Sequence, residues 1–255
     1  MVSPLAISLI AFGFISSGML FGMFLRRMLP EHHLSDDSKD VVKLGTGMIA
    51  TLSALVLGLL IASAKDSFDA INTGLMESGA KVIQLDRVMA HYGPETMEAR
   101  DQLRRRVATV VEQIWSKEGT GPAQATILDP RAGLESIHDE LLQLSPQNDA
   151  QRWLKERALQ VSGDIGQARW LLVERQGQSS LPMPFVVMLV SWLVIIFFSF
   201  GLLSPGNATV IAVLLVCALS AAGSLYLIQE LDRPYGGLIT ISGAPLRNAL
   251  AYLGR

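Results

Sequence analysis

Side chains that can bind metal ions are grouped in one short stretch near the N-terminus of this 255-residue chain. The stretch separates the first two apolar segments and contains Glu31, His32, His33, Asp36 and Asp37. Imidazole and carboxylate groups can bind a divalent metal ion. Adjacent histidines, however, rarely direct both rings at one ion unless a scaffold holds them. We therefore interpret the stretch as a polar loop and keep metal binding as the minor alternative.

Sequence motifs for catalysis are absent. The chain has no Gly-x-Ser-x-Gly, no phosphate-binding loop, no His-Glu-x-x-His and no Cys-x-x-Cys. Its one cysteine, Cys217, cannot form an intramolecular disulfide or a zinc cluster. The formal net charge of −2 creates no basic field that would attract nucleic acid. We predict a protein that is not an enzyme, with no catalytic residue, no cofactor, no bound metal and no nucleic-acid partner.

The second apolar segment carries the pattern that is most informative about function. At about 100° per residue, one stripe of this helix is small or polar within the segment and charged just beyond it. The stripe comprises Thr51, Leu55, Gly58, Ala62, Lys65 and Asp69. In a symmetric oligomer it could line an ion pathway, because polar rings and narrow apolar constrictions select and gate ions. The alternative is a close helix–helix contact through small side chains, with Lys65 and Asp69 paired along the helix.

Four apolar segments position these residues. A helix needs about 20 apolar residues to cross a hydrocarbon core about 30 Å thick. Uncharged segments of this kind cover residues 5–25, 44–64, 183–203 and 208–228. Each should be a helix, because a backbone polar group left unpaired in lipid costs several kcal/mol. The chain is therefore predicted to cross the membrane four times, twice near each end.

The first apolar segment has a competing interpretation as a signal peptide. It lacks a basic region before it and is longer than the usual apolar core of about 7–15 residues, so we predict a retained span. An even number of spans places both termini and the middle of the chain on one side of the membrane. Basic residues lie near span ends on both sides in similar numbers, so the positive-inside rule does not decide the orientation.

The middle of the chain has helical periodicity. From residue 68 to 92, apolar or small residues recur at steps of three and four, which is typical of a helical seam. The same register extends back through Ala64, Ile61, Leu57 and Ala54. We therefore predict one helix over about residues 44–91 that leaves the membrane without a break. Further helices are predicted after Pro94, after Pro130 and over about residues 147–174.

The pattern predicts an all-α integral membrane protein in four parts. The first two transmembrane helices and their loop occupy residues 1–64, and a helical soluble domain occupies 65–182. A transmembrane hairpin follows over residues 183–229, and a tail over 230–255 is expected to pack on the domain. Pro234 and the following glycines favour a defined turn in this tail over a continued helix.

Three stretches of the sequence resemble one family of membrane proteins. They are residues 55–69 (LVLGLLIASAKDSFD), 84–95 (QLDRVMAHYGPE) and 231–246 (LDRPYGGLITISGAPL). These stretches resemble the bestrophin-like family of bacterial membrane proteins, and the resemblance spans nearly the whole chain. The order of two spans, a helical domain, two spans and a tail is similar to that of true bestrophins.

True bestrophins are homopentameric ion channels whose second span lines the pore. The resemblance therefore implies a bestrophin-like fold and a homo-oligomer, a pentamer, in the bacterial inner membrane with a cytoplasmic helical domain. It also implies that the stripe from Thr51 to Asp69 lines the pore, with ions and membrane lipid as partners. The chain departs from animal bestrophins in lacking their aromatic pore neck, and Glu230 and Asp232 are too few for an acidic calcium clasp.

Two functions are compatible with the sequence. The leading hypothesis is a homo-oligomeric channel that conducts ions passively. No Asp, Glu, Lys, Arg or His lies in the four apolar segments, which argues against proton-coupled transport but not against a passive pore. The alternative is a membrane-anchored interaction or sensory module, in which the helical domain docks a partner and the spans only hold it in place.

Overall fold

The protein is all-α in the residues that the structure, a computed structural model, describes: 3–30, 36–115, 134–177 and 183–254. The helices are α1 (Pro4–Met28), α2 (Asp36–Tyr92), α3 (Met97–Trp115), α4 (Leu134–Gln143), α5 (Asp149–Gly177), α6 (Met183–Leu203), α7 (Ala208–Leu231) and α8 (Ala244–Tyr252). A 3-10 turn, Pro94–Thr96, joins α2 to α3. The predicted fold class is confirmed.

Four helices of the described chain, α1, α2, α6 and α7, are long and apolar enough to cross a membrane. Helix α2 has 57 residues, a length of about 86 Å at 1.5 Å per residue. It begins at Asp36, earlier than predicted, and runs without interruption to Tyr92. The predicted helix start after Pro130 lies outside the described residues.

The chain forms two compact units. The first, which we call the membrane unit, comprises Met1–Ser67 and Ser180–Arg233. The second, which we call the helical unit, comprises Phe68–Ser179 and Pro234–Arg255. Their boundaries lie a few residues from the predicted ones at 65, 183 and 230.

In the membrane unit, α1 packs along α6 and α7. One apolar cluster includes Ala11 with Leu60 and Leu189. A second cluster includes Ile15 with Phe197. Because lipid tails are as apolar as these side chains, close packing rather than hydrophobic transfer has to hold such helices together.

Glycines bring α1 and α6 into direct backbone contact. A Cβ atom added at Gly22 would clash with the carbonyl oxygen of Phe198, and one added at Gly201 would clash with the carbonyl oxygen of Met19. A side chain at either position would force the two backbones apart. Gly22 and Gly201 therefore serve a close helix–helix contact within the chain.

The core of the helical unit contains the seam predicted along α2. Leu85 and Met89 are fully buried against Leu103, Ile137 and Val161 from three other helices. The seam between residues 68 and 92 is thus confirmed.

The extension of this seam into the membrane is wrong at two predicted positions, because Ile61 is 42% exposed and Ala54 is exposed as well. The predicted Ala64 is buried and Leu57 is half-buried, but the other buried residues there are Ser53 and Leu60. A strict repeat of 3.5 residues drifts by about 20° per heptad around a straight α-helix, so a seam extrapolated over several turns points to the wrong face.

Polar contacts fix the hairpin between α2 and α3. The Thr96 hydroxyl donates a hydrogen bond to the Met89 carbonyl oxygen at 2.6 Å. Arg100 donates two hydrogen bonds to the carboxylate of Asp86, at 2.8 and 3.1 Å. Asp86 is 1% exposed, so the guanidinium provides the partner that a buried carboxylate requires. This pairing raises the pKa of Arg100 further above its usual range.

The C-terminal tail packs within the helical unit. The Trp115 indole Nε1 donates a hydrogen bond to the Ile241 carbonyl oxygen at 2.9 Å. The Tyr235 ring packs edge-on against Trp115, and burial raises the pKa of Tyr235 to about 12. The short helix α8 then buries Leu246 and Ala249. These contacts hold the described part of the tail against Trp115.

Candidate functional site: the exposed face of helix α2

One side of α2 packs inside the membrane unit. Ser53, Leu60 and Ala64 are buried, and Val56 and Leu57 are half-buried against the same apolar cluster. The Ser53 hydroxyl donates a hydrogen bond to the Ile49 carbonyl oxygen at 2.8 Å, so no polar group of this side chain is left unpaired in the apolar environment. This face of α2 therefore packs against other residues of the same membrane unit.

The predicted stripe lies on roughly the opposite side of α2. At about 100° per residue, its centre is about half a turn away from the packed face. All six stripe residues are exposed: Thr51, Leu55, Gly58, Ala62, Lys65 and Asp69. The structure therefore places these six residues together on the exposed surface of α2.

The glycines on this surface have open space around them. A Cβ atom added at Gly47 or Gly58 would have no heavy atom within 4 Å other than those of adjacent residues and of the backbone of its own helix. Leu55 is 61% exposed and is the largest apolar side chain of the stripe. Contacts within one subunit thus do not explain why these positions are small.

The stripe has one polar side chain within the apolar segment, Thr51, and two charged side chains just beyond it, Lys65 and Asp69. The Thr51 hydroxyl donates to the Gly47 carbonyl oxygen at 2.9 Å, which leaves the lone pairs of its oxygen available to accept hydrogen bonds. Lys65 and Asp69 lie on the exposed side just beyond the apolar segment, and each takes part in a polar or electrostatic interaction. The stripe therefore combines small, apolar and charged groups along one line.

The candidate metal-binding stretch is only partly described. Glu31, His32 and His33 lie outside the described residues. Asp36 accepts a hydrogen bond from Lys39 at 3.0 Å, and this bond lowers the pKa of the Asp36 carboxyl. Asp37 is exposed. No cluster of three metal-ligating residues occurs in the described part of the chain, and metal binding by the stretch stays an untested alternative.

Sequence reasoning missed two polar features and one helix. Asp86 lies on the packed seam of α2 between Leu85 and Met89, and an acid at a core position predicts a buried partner. Glu230 is 5% exposed at the end of α7, although it follows the apolar segment directly. Helix α8 could have been found from Pro245 at its first turn and the apolar residues spaced by three and four after it.

A comparison with known families matches residues 13–246 to the bestrophin-like domain. The chain belongs to the bestrophin-like family. The resemblance stated from the sequence is thereby confirmed, since the match covers nearly the whole chain.

Solved structures share the fold of this bestrophin-like protein. A crystal structure of a variant bacterial bestrophin homologue from Klebsiella pneumoniae has a TM-score of 0.68 at 13% identity, over 100% of each chain. A second variant of that homologue gives a TM-score of 0.64 at 14% identity, over 96% of this chain and 98% of the other. A third structure, phased on zinc, gives 0.61 at 13% identity, over 92% and 95%. No curated protein matches this sequence.

Proposed function

We propose that this protein forms a homo-oligomeric channel that conducts ions passively through a pore lined by α2. The observation that carries the proposal is the exposure of the whole stripe from Thr51 to Asp69 on the side of α2 away from the subunit interior. Several copies arranged around an axis would bring small side chains towards one another at Gly58 and Ala62. Leu55 would then form an apolar constriction, of the kind that gates by dewetting.

Family membership supports the same proposal. True bestrophins are pentameric channels, and five copies of this chain would give five stripes around one axis. Our proposal includes a cytoplasmic helical unit and an assembly in the bacterial inner membrane, with membrane lipid and ions as its partners. The four predicted apolar segments contain no Asp, Glu, Lys, Arg or His, as a passive pore permits, whereas proton-coupled transporters usually use such residues.

Planar-bilayer recording tests this function. Purified protein should give unitary currents, and Gly58→Leu should reduce or abolish them by narrowing the proposed pore. Gly13→Leu is the matched control, because Gly13 is an exposed glycine on α1 with no heavy atom within 4 Å of an added Cβ. A complete absence of conductance across varied cations and anions would contradict the channel. Equal effects of the two substitutions would contradict the assignment of α2.

The alternative function, an interaction or sensory module without conduction, has one specific observation in its favour. Trp153 and Trp170 on α5 are 63% and 56% exposed. Large aromatic side chains on a soluble surface mark binding sites more often than other exposed residues do. An assembly whose α2 helices pack tightly on the axis without a continuous cavity would favour this function over the channel.

A further inference from the structure

We draw no further inference here: the strongest candidate, the face of α5 in the helical unit that exposes Trp153, Gly163 and Trp170, carries none because nothing in the described part of the chain shows what covers it.

Discussion

Helices α1 and α2 both carry glycines in their spans, but the surroundings of the two sets differ. Gly22 of α1 lies directly against the backbone of α6, as does Gly201 of α6 against α1. Gly47 and Gly58 of α2 face open space. Packing of α1 on α6 explains Gly22 and Gly201. No contact in the described part of the chain explains Gly47 and Gly58, and our proposal places them towards the axis of an oligomer.

The largest effect on folding is expected at the backbone contact between α1 and α6. Gly22→Ala or Gly201→Ala should lower the free energy of unfolding by more than about 3 kcal/mol, beyond the usual cost of overpacking, because the added methyl meets backbone and not a mobile side chain. Unfolding in detergent, followed by tryptophan fluorescence, measures the change. Gly13→Ala is the control and should be nearly neutral. A neutral Gly22→Ala would show that the two backbones are not in contact.

A smaller effect is expected where a glycine faces a side chain in the helical unit. A Cβ at Gly243 would lie 2.7 Å from the Trp115 ring, which can shift slightly. Gly243→Ala should therefore cost about 1–3 kcal/mol, measured by thermal unfolding. Gly236→Ala in the same tail is the control, since an added Cβ there has open space. Equal stability of the two variants would argue against the docking of the tail on Trp115.

The hydrogen bond that Trp115 donates provides a second test of the contact between the tail and Trp115. Trp115→Phe removes the donor to the Ile241 carbonyl oxygen and should cost about 1–2 kcal/mol. Because Gly243 and Trp115 are in contact, the double variant should lose less stability than the sum of the two single variants. Strict additivity in the unfolding free energies would mean that the two residues act independently.

The smallest effect on folding is expected on the open face of α2. Gly47→Ala and Gly58→Ala should leave the unfolding free energy unchanged or raise it by up to about 1 kcal/mol, because alanine favours a helix and has room here. Unfolding of the detergent-solubilised protein measures this. A loss of several kcal/mol would place these glycines in a tight contact and would remove the contrast with α1.

The fold was largely predictable from the sequence because few backbone structures can span the hydrocarbon core of a membrane. The four apolar segments had to be helices, and the seam from residue 68 to 92 had to face a core. The ion pair between Asp86 and Arg100 was not predictable, because it joins residues on two helices whose facing sides the sequence does not specify. The errors at Ala54 and Ile61 arose from extending a helical repeat over too many turns.

The candidate site was predictable only as a surface pattern. The sequence identified which residues of α2 share a stripe, and the structure shows that each of them is exposed. What covers the stripe in the assembly depends on other copies of the chain, and contacts between copies leave no periodicity in one helix that distinguishes a pore from a close packing contact.

Imaging the assembled protein in lipid nanodiscs by electron cryo-microscopy tests the central claim most directly. The account predicts a symmetric particle in which the Thr51, Gly58 and Ala62 side of every α2 faces one continuous cavity on the axis. An assembly that turns this side towards lipid, or closes the axis with tightly packed α2 helices, would contradict it.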